Sequence, residues 1–144
     1  MKNGEVVSIL KDLIIKCEKG RDSFRNAAEN IRNSEFRRLF NIFSQQRAQF
    51  VSELRAELHR LGTGEMAPPR PTEPFESTTT VKMNGTENES SIISECKREE
   101  EAAVIGYEDA MKADLPLDVQ YVLKRQFMDI KDAYDRIRIL QRAA

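Results

Sequence analysis

Apolar residues recur along this chain at steps of three and four, and the recurrence breaks off and restarts several times. Leu10, Leu13, Ile14, Cys17, Phe24, Ala28 and Ile31 share one helical face, which predicts a first helix over residues 5–30. Asn33-Ser34 interrupts the pattern, and Ser34 is placed to cap a second helix over 35–61. That helix carries Phe36, Leu39, Phe40, Phe43, Phe50, Leu54, Leu58 and Leu61 on one side, and Gly62 follows it as a C′ glycine. A third stripe, Ile93, Cys96, Glu100, Val104, Tyr107 and Met111, predicts a helix over 91–113. Asp114-Leu115-Pro116 then breaks the chain, with Pro116 suited to the first turn of a fourth helix over 117–142. Val119, Leu123, Phe127, Ile130, Tyr134, Ile137 and Gln141 form its stripe.

The middle of the chain behaves differently. Residues 62–90 hold Pro68, Pro69, Pro71 and Pro74, then Thr78-Thr79-Thr80 and the turn-like Asn84-Gly85, a composition that reads as a crossover and not as a helix. The connections on either side are short, so each flanking pair of helices is expected to run antiparallel. Hairpin, long crossover, hairpin is the connectivity of ferritin-like folds, and the expected architecture is an all-α four-helix bundle forming one domain over residues 1–144.

Composition fits this picture and narrows the function classes. With 40% hydrophobic and 33% charged residues, the chain suits a small bundle with charged outer faces. Its formal net charge of −1 supplies no general field for nucleic acid or an anionic membrane. Lys11, Asp12, Lys16 and Glu18 interrupt the first apolar stretch, which excludes a secretory or membrane-spanning segment there and makes the cytoplasm the expected location. Cys17 and Cys96 both fall on apolar stripes without zinc-type spacing, so they read as buried thiols, with a disulfide between them left open. No glycine-rich phosphate loop, Ser/His/Asp set or nucleotide fingerprint is present, and no catalytic residue is assigned.

Glu100 stands out, because it occupies an apolar stripe where an unpaired carboxylate is prohibitively costly. It must take up a proton, meet a cation or bind a metal. A carboxylate-bridged metal pair in a bundle takes a Glu from each of two helices and a Glu-x-x-His from each of the others. Only the third helix complies. The first is read as placing Cys17 at the level of Glu100, with Glu18 and Asp22 off the stripe; the second offers Arg47-x-x-Phe50 and the fourth Lys131-x-x-Tyr134. The single histidine, His59, sits near the end of the second helix. The expectation is therefore a buried polar cluster without a cofactor: Arg47, with Arg21 or Lys131, pairs with Glu100, and Tyr107 or Tyr134 adds a hydrogen bond. The alternative is an iron site with Glu100 as its principal ligand.

Several runs carry a family resemblance: Leu39-Phe40, Gln45-Gln46-Arg47-Ala48-Gln49-Phe50 and Glu53-Leu54 on the second helix; Glu100-x-Ala102-Ala103, Tyr107-Glu108 and Asp114-Leu115-Pro116 on and after the third; Asp135-Arg136-Ile137-Arg138 on the fourth. Together they resemble a bacterial family of small ferritin-like four-helix-bundle proteins of unknown function. The resemblance implies a ferritin-like bundle in the cytoplasm with no established catalytic activity. Members often have histidine where this chain has Tyr134, and a helical stretch where this chain has its proline- and threonine-rich crossover. The expected role is structural, stress-associated or one of interaction, with a homodimer or another protein partner engaged through residues 62–90.

Overall fold

A computed structural model describes residues 3–62 and 89–143. Among these residues the chain is helical without strands, in the order α1 (Asn3–Asn30), α2 (Ser34–Arg60), α3 (Glu89–Ala110) and α4 (Leu117–Ala143). The crossover and the partner contact expected through it fall almost wholly on residues 63–88, outside the described residues.

Local chemistry accounts for the helix ends, with two corrections. The cap of α2 is Asn33, not Ser34: its side-chain oxygen accepts from the backbone N–H of Glu35 at 2.8 Å and Phe36 at 3.2 Å. Ser34 is already helical, and an amide at 33 satisfies two donors that the first turn leaves without partners. Gly62, at φ +75°, closes the other end, its N–H donating to the His59 carbonyl. α3 stops at Ala110, three residues short of the expected 113. Beyond it Lys112 and Ala113 bond only three residues back, so the last turn tightens ahead of Pro116.

α1 packs on α2 and α3, and α4 packs on the same two, which leaves α1 opposite α4 and α2 opposite α3 across the bundle. Polar contacts at the ends give the directions. Glu89, opening α3, accepts from the backbone N–H groups of Arg32 and Asn33 just past the end of α1. Arg60, closing α2, lies 3.3 Å from Asp118 in the first turn of α4. Every neighbouring pair is thus antiparallel, and the ends of α2 and α3 that flank residues 63–88 stand at opposite ends of the bundle.

The buried apolar side chains divide into two clusters along the bundle axis. One joins Val6, Leu10, Leu13 and Cys17 with Phe50, Leu54, Tyr107, Leu123 and Ile130. The other joins Phe24, Ile31, Phe36, Phe40 and Phe43 with Ile92, Ile93, Cys96 and Ile137. In the second cluster three rings meet, Phe24 stacking on Phe40 at 5.9 Å and tilting against Phe43 at 5.3 Å between centroids.

On α4 the buried line is Val119, Leu123, Gln126, Ile130, Ala133 and Ile137. Phe127, Tyr134 and Gln141 are only half-buried at its edge, which corrects the stripe expected from hydropathy. The helix is turned toward Gln126 and Ala133, and the Gln126 amide finds partners inside in Tyr107 and Glu53. Asn33→Ala should lower stability by about 1 kcal/mol, whereas Ser34→Ala should stay within about 0.5 kcal/mol of the parent in urea unfolding.

Candidate functional site

The seam between the two apolar clusters is occupied by charge. Arg47 of α2 and Glu100 of α3 reach across the bundle diagonal, each only 1% exposed. Arg47 Nη1 donates to Glu100 Oε1 at 2.8 Å and Nη2 donates to Oε2, so the planar guanidinium and the carboxylate meet fork to fork. The guanidinium carbon lies 5.4 Å from the Phe24 ring centroid and 5.7 Å from that of Phe50, one ring from each cluster. Gly20 of α1 leaves the room this needs: a Cβ there would stand 3.3 Å from Arg47 Nη1. Arg47 Nε has no hydrogen-bond partner among the described residues.

A second polar chain begins beside the pair. The Cys17 thiol and the Tyr107 hydroxyl are 3.2 Å apart, and Tyr107 donates to Gln126 Oε1 at 2.7 Å. Gln126 Nε2 donates to Glu53 at 2.8 Å, and Glu53 meets Arg125 at 3.1 Å near the surface. One hydrogen-bonded line therefore links all four helices, from a buried thiol on α1 to an ion pair in solvent.

Of the expected cluster, the structure brings Arg47 and Glu100 together and places the other members elsewhere. Tyr107 is buried beside them, but its hydroxyl serves Cys17 and Gln126, not Glu100. Arg21 is half-buried and bonds Asp22. Lys131 is exposed, because the turned α4 presents Ile130 inward in its place. Tyr134 is half-buried under the guanidinium of Arg138, 5.7 Å from the ring centroid. Cys17 stands at the level of Tyr107, not of Glu100; α1 and α3 run antiparallel, so Gly20 and Phe24 are the α1 residues beside the pair. Both cysteines are free and buried, and His59 is exposed.

Gln126 and Gly20 belong to the site and were not among the expected residues. Both left a faint signal, since Leu123-Gln126-Ile130 and Cys17-Gly20-Phe24 keep the three-then-four spacing. Neither residue is apolar enough to mark a stripe on its own.

Burial dominates the electrostatics. It pushes the Glu100 carboxyl above the ordinary 4.5, with the Arg47 guanidinium pulling the other way. It also raises the Tyr107 hydroxyl and both thiols, so the thiolate form that reacts is disfavoured. Glu53, near the surface, is held below its ordinary value: its modest burial acts upward and is outweighed by hydrogen bonds from Gln126 and Gln49 and the contact with Arg125. Chemically the centre is a closed ion pair with its charges matched. Among the described residues no group of three or more His, Cys, Asp or Glu is placed to hold a metal.

Fold and site together define a four-helix protein with an ion pair at the centre of its core. The chain belongs to the family described as Domain of unknown function (DUF2383), whose sequence profile matches residues 5–113 and so takes in Arg47, Glu100 and Tyr107. No curated protein matches the sequence.

Removing one member of the pair leaves the other as an orphan charge. Arg47→Met and Glu100→Leu should each cost about 3–5 kcal/mol in denaturant unfolding. The double variant Arg47→Met/Glu100→Leu should lie within about 1 kcal/mol of the parent or above it, a non-additivity that a double-mutant cycle reads directly.

The pH dependence has a definite sign. A buried carboxyl raised above its unfolded-state value of 4.5 binds its proton more readily in the folded chain. Burial thus favours the protonated form as pH falls, while Arg47, which protonation would leave as an orphan charge, opposes it. Arg47→Met removes the opposing cation, so that variant should gain more stability than the parent between pH 7 and 5. Cys17 and Cys96 should stay unmodified by a thiol-specific disulfide reagent in native protein over a time in which both react in urea.

Proposed function

We propose that this protein is a non-catalytic, ferritin-like bundle in which the Arg47–Glu100 pair takes the central place of a metal site, and that its role is structural, stress-associated or one of interaction, in the cytoplasm. The observation that carries this reading is the fork-to-fork pair itself, which engages both oxygens of the buried Glu100 carboxylate. The arrangement of α2 and α3 on a diagonal, with a 26-residue segment (63–88) between them, supports the ferritin-like part. Among the described residues no helix is long and apolar enough to cross a membrane.

The iron-binding alternative meets a donor set that does not fit. A carboxylate-bridged pair of cations needs several carboxylates and imidazoles converging. Both oxygens of Glu100 are instead engaged by Arg47, a guanidinium beside the carboxylate repels a cation, and among the described residues no three His, Cys, Asp or Glu are placed to hold a metal. Protein purified from iron-supplemented cells should carry far less than one iron per chain by elemental analysis. Near-stoichiometric iron that disappears in Glu100→Ala would reverse the choice between the two readings.

A further inference from the structure

The outer face of α4 is out of keeping with the rest of the surface. Leu117, Tyr121, Met128 and Ile139 are 77, 69, 69 and 63% exposed, and no other described helix exposes more than one large hydrophobic residue to this extent. At about 100° per residue the four fall within an arc of about 40°, one narrow stripe running about 33 Å along the helix. α4 contacts α2 and α3 on its other side, so nothing among the described residues covers the stripe.

The charges within the stripe are ordered. Lys124 is the only charged residue on it between Leu117 and Met128, and Asp132 and Asp135 are the charged residues on it between Met128 and Ile139. Arg125, Lys131 and Arg138 lie about 55° or more from its midline, at the rim. From the N-terminal end the face reads Leu, Tyr, Lys, Met, Asp, Asp, Ile.

This order is self-complementary in one orientation only. If two copies pair antiparallel about a two-fold axis at Met128, Leu117 comes level with Ile139 of the second copy. Tyr121 comes level with the opposing Asp135, Lys124 with the opposing Asp132, and Met128 with itself. Parallel pairing would instead set Lys124 against Lys124 and the aspartates against each other. Asp132 and Asp135 each already meet an arginine on their own helix, at 3.1 and 3.8 Å. Such exposed pairs contribute little, and the carboxylates are free to turn toward a lysine across a seam.

We infer that α4 is a homodimerisation helix: a second copy of this chain packs antiparallel on the Leu117–Tyr121–Met128–Ile139 stripe. This interface is independent of the Arg47–Glu100 pair. One helix face buries an area at the small end of specific interfaces, so the dimer exchanges with monomer.

Sedimentation equilibrium of the full chain at low salt should show a monomer–dimer equilibrium across about 1–300 µM. Met128→Asp should shift it to monomer with an unchanged circular dichroism spectrum, since Met128 lies outside the core. A disulfide trap gives the orientation. Leu117→Cys mixed with Ile139→Cys should cross-link under mild oxidation, and neither should cross-link with itself; the native thiols are buried. Monomer throughout the range, a dimer that Met128→Asp leaves intact, or Leu117→Cys cross-linking to itself would each overturn the inference.

Discussion

The structure depends on two charges placed where water cannot reach them. Arg47 and Glu100 sit at the seam of two apolar clusters, and each makes the other tolerable: the carboxylate takes both terminal nitrogens of the guanidinium, which also lies 5.4 and 5.7 Å from two aromatic ring centroids. A pair of this kind adds little net stability, because desolvation of the ions offsets most of their attraction. Its effect is on uniqueness. A shift of one helix by a turn would move one charge about 5 Å from its partner and strand both, so the pair selects one register of α2 against α3. Those two helices are diagonal neighbours with no close backbone contact, and a long side chain is what it takes to couple them.

The rest of the centre follows from that demand. Gly20 gives up a side chain so that the guanidinium fits, at a helix position where glycine costs about 1 kcal/mol relative to alanine. Phe24 and Phe50 tie the cation to both clusters. The line from Cys17 through Tyr107, Gln126 and Glu53 satisfies buried polar atoms step by step until it reaches solvent at Arg125. Apart from Arg47 Nε, the polar atoms of both systems are engaged with one another, and this supports the proposed architectural role.

Much of this was legible from residue order. Four helices and their breaks follow from the period of apolar positions, and Glu100 and Arg47 were conspicuous because each interrupts such a period. The misreadings share a cause. Lys131 and Tyr134 were placed inward because the aromatic rings of Phe127 and Tyr134 mark a stripe more strongly than Gln126 and Ala133 do, yet α4 is turned the other way. Cys17 was set level with Glu100 because helix direction was ignored. The cap moved from Ser34 to Asn33 for want of the backbone angle at which the chain enters α2.

The sequence by itself determined what is local: where helices start and stop, which face of each is apolar, and that two opposite charges would have to be buried. Period and capping depend only on neighbouring residues, so they can be read in order. Tertiary structure alone decided which residues share a level, how far each helix is rotated, and that Gln126 and Gly20 belong to the centre. Those are distances between segments far apart in the chain, set by how whole faces pack.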